Sequence, residues 1–221
     1  MLSFSLISII FIITLSFINS GYDVSKLKIS SKTDQIMLVI PTSYKSHFAE
    51  FYYYIKSGNT WKEFISTKAN IGKNGVTSSK VEGDMKSPIG CFKFNKYFGI
   101  ANNPGTKMPY IKLNNSLYWV SDPNSSRYDQ MVNIETYTAF DKSKSEHLIE
   151  ETVAYKYAMN IYYNQNTIPN KGSAIFLHCL TKSSYTAGCV AISETNMIKV
   201  LKKVNKNAMI VIDIKENIYK Y

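Results

Sequence analysis

Cysteine is scarce in this chain of 221 residues: Cys91, Cys179 and Cys189 are all it has. An odd number leaves at least one thiol unpaired. If that thiol is Cys189, only Cys91 and Cys179 remain to bridge, and two buried thiols is the simpler reading. Arginine is scarcer still. Arg127 stands alone beside Asp122-Pro123-Asn124, a single candidate for a bidentate carboxylate clamp, with chance placement the plainer account. There is no internal repeat and no linker that would split the chain. No alternation of strands with long helices occurs either, which excludes a doubly wound parallel sheet and leaves a β-rich domain with two or three short helices.

Lysine is not scarce. Lys and Arg total 26 against 16 Asp and Glu, a formal net charge of +10. Such a surface attracts acidic polymers, but no nucleic-acid-binding motif accompanies the lysines, and most of the charge reads as a solvated lysine-rich face. Residues 1–20 carry no charged side chain and end in Asn19-Ser20-Gly21, which reads as a signal peptide cut near Ser20, with an uncleaved anchor as the second reading. Either way, the domain faces the outside of the cytoplasm. The remaining 200 or so residues suffice for one domain with a sizeable core.

Local patterns give the elements. Residues 35–41 and 48–56 are rich in β-branched and aromatic side chains, and Gly58-Asn59 turns the second into residues 61–71, an edge-to-centre hairpin. Residues 72–86 read as a long surface loop, in which Glu82 and Asp84 are simply solvated. A strand follows Ser87-Pro88-Ile89-Gly90, and a turn-rich stretch, 102–109, leads to a strand over 110–120 whose Tyr110, Tyr118 and Trp119 are candidates to line a groove. A short helix is predicted from about 143–145, with His147 on its surface or in the core, then a strand over 153–164. Met197, Val200 and Leu201 are spaced for a helix over 196–203, capped at Ser193, and 208–214 form a terminal strand.

The chemistry concentrates in residues 172–193. Residues 173–179 form a buried strand on which Ala174, Phe176 and His178 share one face and Ile175, Leu177 and Cys179 the other. A Lys-Ser-Ser-Tyr-Thr loop returns the chain to Gly188-Cys189 at a strand-loop-helix corner. A thiol attacks only as thiolate, so an imidazole that accepts its proton makes Cys189 a nucleophile, with His178 as base and the Gly188 and Cys189 N–H groups as oxyanion donors. A core histidine and a buried thiol would look the same locally. A zinc site from His178, Cys179 and Cys189 lacks a fourth ligand, and adjacent strand residues point apart; neither a metal nor another cofactor is expected.

The run Gly-Ser-Ala-Ile-Phe-Leu-His178, a short loop and Thr186-Ala187-Gly188-Cys189-Val-Ala-Ile resembles the signature of the YkuD-type L,D-transpeptidase catalytic domain, in a branch with a shortened histidine-to-cysteine loop. Upstream segments agree in order: Val76-Thr77, Lys80-Val81-Glu82-Gly83-Asp84, Ser87-Pro88-Ile89-Gly90, Tyr97-Phe98-Gly99, Pro104 to Tyr110, and Trp119 to Ser125. The similarity spans residues 34–214, within a catalytic domain drawn over 34–215. It implies a two-sheet β-sandwich, mainly β, and a monomeric exported cysteine acyltransferase acting on peptidoglycan stem peptides, attached to a membrane only if the N-terminal segment is uncleaved. It implies Cys189 as nucleophile, His178 as base and the Cys179 carbonyl orienting the imidazole. The commoner family pattern has a second histidine before the Gly-Cys and an Asn or Arg shortly after it, where this chain has Ala187 and Ala191. Acceptor-side polarity must then come from Ser184, Tyr185, Thr186 or residues elsewhere. A hydrolase on the same site, either an L,D-carboxypeptidase or a stem-peptide amidase, is the alternative, and an inactive wall-binding module is the third reading.

Overall fold

The structure is a computed structural model that describes residues 21–221. The segment read as a signal peptide or anchor, residues 1–20, lies outside the described residues. Fourteen strands follow in order: β1 (Gln35–Pro41), β2 (Phe48–Ser57), β3 (Thr60–Asn70), β4 (Val76–Thr77), β5 (Ser87–Pro88), β6 (Gly90–Gly99), β7 (Tyr110–Lys112), β8 (Leu117–Trp119), β9 (Met131–Asn133), β10 (Glu146–His147), β11 (Ala158–Ile161), β12 (Phe176–Cys179), β13 (Val190–Ile192) and β14 (Met209–Ile212). One helix, α1 (Glu194–Lys203), separates β13 from β14.

Nine strands form one sheet in the order β11-β12-β13-β3-β2-β1-β14-β6-β7, and β11 also pairs with β6, so the sheet closes on itself like a barrel. This corrects the expected two-sheet sandwich: both layers belong to one continuous hydrogen-bonded surface. Closure depends on β6, which is ten residues long, so that its first half pairs with β14 and its second half with both β11 and β7. The weakest seam is between β3 and β13, which meet at Asn70 and Ala191 alone. There the β2–β3 hairpin keeps a mostly open edge.

Every residue of β1 is buried, because both of its faces are covered. Met37 and Val39 face a core shared with β2, β6, β11, β12 and α1. Ile36, Leu38 and Ile40 face a second cluster closed by residues 24–29 and Ile218. A third cluster, built on Phe98, Trp119, Tyr155 and Phe176, lies on the opposite side of β12 from the first, and Cys189 belongs to it. Its rings meet edge to face, with Phe176 centroids 5.2 Å from Phe98 and 4.8 Å from Trp119. Beside it sits a three-stranded sheet, β10-β8-β9.

Three local expectations are corrected. The helix near 143 is a single 3₁₀ turn (Lys142–Lys144) held by the Asp141 side chain. Pairing of Glu146 with Trp119 and His147 with Tyr118 then takes the chain into β10 instead. The strand over 153–164 begins only at Ala158, because a 3₁₀ turn (Ala154–Lys156) shifts the phase and puts Tyr155 in the third cluster, while Met159 and Ile161 enter the first. The strand over 110–120 is two strands of different sheets, and two of its candidate groove aromatics pack instead: Trp119 is fully buried and Tyr118 stacks on His147.

Candidate active site

The local sequence explains how the reactive corner is held. Ser193 accepts the Asn196 N–H and starts α1, which buries Met197, Val200 and Leu201 in the first cluster. Parallel β12 and β13 align His178 with Ala191, which brings the imidazole near the residue just before Val190, Cys189. Both side chains line one pocket of about 340 Å³. Gly188 has φ +149°, and a Cβ there would lie 2.9 Å from the Lys86 carbonyl and 3.1 Å from Ile175, so only glycine fits this corner.

His178 is only 6% exposed. Its Nδ1 lies 2.8 Å from the Cys179 carbonyl, which can only accept, so Nδ1 carries the hydrogen. Nε2, without a hydrogen bond among the described residues, faces the pocket as a lone-pair acceptor. Burial holds the imidazole pKa down at about 4, against the pull of that carbonyl. The Cys189 thiol donates to the Ala174 carbonyl at 3.2 Å and accepts the Phe176 N–H at 3.2 Å. Burial, and after it the Glu146 charge, push its pKa up to about 12. The resting pair is therefore neutral thiol and neutral imidazole, in one pocket but without a direct hydrogen bond. Ala174, which supplies the accepting carbonyl, holds a left-handed backbone at φ +53°.

The remaining residues named from the sequence divide. Of the two N–H groups named as oxyanion donors, that of Gly188 donates to Thr186 Oγ1 at 3.1 Å, and that of Cys189 has no partner among the described residues. Thr186 and Tyr185 line the pocket, whereas Ser184 does not and Ser183 does. Thr186 straps the loop, its hydroxyl donating to the Cys189 carbonyl at 2.7 Å and its N–H to the Ile71 carbonyl at 2.9 Å. Tyr185 is 39% exposed, with Lys73 over its ring. Cys179 Sγ points to the Tyr157 carbonyl, and Cys91 and Cys179 are free thiols in different clusters. Arg127 lies over the Tyr137 ring, outside the pocket. Among the described residues, no group of three or more His, Cys, Asp or Glu side chains is arranged to hold a metal ion.

Sequence reasoning missed the polar wall. The stretch 72–88 folds over the site: Ser87 Oγ donates to the Gly188 carbonyl at 2.6 Å, and Gly72 bridges to Thr186. Lys80, 3% exposed, lies under Gly172 and Gly188 with its ammonium 2.7 Å from Asp84. Glu82 accepts from Ser173 Oγ at 2.8 Å and from the Tyr128 hydroxyl. From β10 comes Glu146, which accepts the Tyr155 hydroxyl; the Tyr155 ring packs edge-on at 5.7 Å against the His178 ring. Burial raises the Glu146 carboxyl to about 7. Asp129, which accepts Trp119 Nε1–H at 2.8 Å and the Ala174 N–H at 3.0 Å, is likewise raised to about 7 by burial. The Gly, Asn, Ser and Lys content of 72–86 reads as a surface loop, and nothing in that composition marks the inward turn of Lys80 and Glu82.

Among solved structures, the chain is similar to Bdellovibrio bacteriovorus Bd1075 (15% identity, TM-score 0.42, covering 88% of this chain and 55% of that one). It is also similar to an L,D-transpeptidase from Mycobacterium smegmatis (10%, 0.38, 81% and 58%) and to L,D-transpeptidase 1 of Mycobacterium tuberculosis (14%, 0.35, 81% and 61%). The chain thus spans less than two thirds of the length of these structures. No curated protein sequence matches it. The family model of the L,D-transpeptidase catalytic domain, YkuD, matches residues 42–212, a span that holds β2 through β14 and the whole pocket, and the chain therefore belongs to the YkuD family.

Proposed function

We propose that the protein is an exported cysteine acyltransferase that acts on peptidoglycan stem peptides by L,D-transpeptidation. The observation that carries this reading is the disposition of His178: Nδ1 is fixed by the Cys179 carbonyl, and Nε2 is open to the pocket that also holds Cys189. Family membership supports the substrate class.

Substrate binding displaces the thiol from the Ala174 carbonyl toward Nε2. His178 takes the thiol proton as sulfur attacks the carbonyl of the L-centre in a stem tetrapeptide. The Cys189 N–H stabilises the oxyanion, and the imidazolium gives its proton to the departing D-alanine amine. The thioester then passes to an amine or to water. Starting from a neutral pair means that charge develops only once substrate has excluded water, which limits wasteful thiol chemistry in the free enzyme.

The test is incubation with a defined tetrapeptide muropeptide, with and without a D-amino acid, read by mass. A D-amino-acid-exchanged tetrapeptide is expected; tripeptide alone at every acceptor concentration makes the protein a hydrolase on the same site. Cys189→Ala should abolish both products, and Cys179→Ser should keep most activity because its sulfur faces Tyr157.

A further inference from the structure

The family's second histidine has no counterpart at Ala187, yet the pocket wall is far from apolar. Glu146, Glu82 and Glu151 all line it, and the lysine that also lines it, Lys80, is already engaged by Asp84. In a chain of net charge +10, this pocket is locally acidic. An acidic wall disfavours thiolate, as the Glu146 effect on Cys189 illustrates, so it needs a reason of its own. A cationic ligand supplies one. A second observation points the same way: His178, almost fully buried, leaves Nε2 unpartnered toward the same space.

Resting on the thioester reading above, we propose that Glu146 is a further catalytic residue, the base that takes the first proton from an acceptor amine entering as ammonium. The proton balance calls for two bases. The ammonium of the acceptor loses one proton to the Glu146 carboxylate and becomes a free amine. As its nitrogen attacks the thioester carbonyl, the C–N bond forms and the C–S bond breaks. The second nitrogen proton passes to His178 Nε2 and from there to the departing Cys189 sulfur. Glu146 later releases its proton to solvent. Water as acceptor needs only the second transfer, so Glu146 separates transfer from hydrolysis.

The surroundings suit that task. Tyr155 donates to one Glu146 oxygen and packs on His178, so one side chain touches both bases. Burial, reinforced by Glu151, Glu82 and Asp129, sets the Glu146 carboxyl near 7, while the Tyr155 hydroxyl pulls it down. A carboxylate so placed is basic enough to compete for an ammonium proton near neutral pH.

The experiment measures the transfer-to-hydrolysis ratio from pH 6 to 9 on the purified full chain, using a tetrapeptide donor and a D-amino acid acceptor. Glu146→Gln should lower the ratio about a hundredfold at pH 7 and recover toward wild type near pH 9, as the acceptor deprotonates by itself. Tyr155→Phe keeps the ring but removes the donor, and should move the midpoint of the ratio to higher pH. An unchanged ratio, a parallel fall of both products, or an unmoved midpoint in Tyr155→Phe overturns the assignment. Intact mass without acceptor separates the two levels: wild type that forms the Cys189 adduct yet never transfers sinks Glu146 alone, whereas wild type that forms no adduct sinks the parent reading with it.

Discussion

Cys189 and His178 both rest uncharged, and the reason lies in burial rather than in their mutual distance. Without substrate, iodoacetamide should modify Cys189 more slowly at pH 7 than an exposed cysteine, at a rate that climbs with pH and shows no plateau near neutrality. A plateau below pH 8 would mean a preformed thiolate. The same burial writes itself into stability. His178 binds a proton in the unfolded chain but not in the folded one between about pH 6.5 and 4, so its contribution is complete above 6.5 and is lost as pH falls through that window. Glu146 has the opposite sign: the folded state holds a proton that the unfolded state has released, so stability is lost as pH rises from about 4.5 through 7. In thermal melts, His178→Gln should lose less than wild type on acidification from 6.5 to 4.5, and Glu146→Gln should lose less on going from 4.5 to 7. Lys80 belongs at this scale too. Lys80→Met leaves the Asp84 carboxylate without its buried partner and should cost about 3–5 kcal/mol in urea unfolding, more than a surface lysine.

Elements position these residues, and here the sequence was unevenly legible. β1 and α1 announced themselves because burial on both faces of the strand, and on one stripe of the helix, leaves an unbroken or a 3.6-residue apolar pattern. The strand expected over 173–179 begins only at Phe176, because Ala174 takes a left-handed backbone, yet the division of side chains matches: Ile175, Leu177 and Cys179 enter one cluster, Ala174 and Phe176 the other. What failed was decided by distant partners. His147 looked helical until Tyr118 paired with it, and 72–86 looked like loop because Lys80 and Glu82 turn inward only to meet Asp84, Tyr128 and Ser173. Sheet closure is likewise invisible locally, since β6 pairing with β11 is a contact between segments about 60 residues apart. The corner itself gives a test. Gly188→Ala meets both an unfavourable φ and the Lys86 carbonyl, so it should destabilise by about 1–3 kcal/mol and lower turnover, while Ala191→Gly three residues away should spare the corner geometry.

Across the whole molecule, a chain of net charge +10 carries a pocket lined by Glu82, Glu146 and Glu151. The surface suits long-range attraction to acidic wall polymers, and the pocket suits an ammonium, so the two charges act at different distances. Association with isolated cell-wall sacculi should therefore weaken steeply between about 50 and 200 mM salt, while the transfer-to-hydrolysis ratio, set inside the pocket, should hold nearly constant. A parallel loss of both would merge the two roles. Among the described residues, no helix is long and apolar enough to cross a membrane.

The central claim is that Cys189 carries the acyl group, and intact-protein mass spectrometry after brief mixing with a stem tetrapeptide tests it most directly. The account predicts a mass increase equal to the tripeptidyl group, mapped by peptide digestion to Cys189, with release of one D-alanine and no adduct in Cys189→Ala. An adduct on Cys179 or Cys91, or D-alanine release with the Cys189 variant fully active, would contradict it.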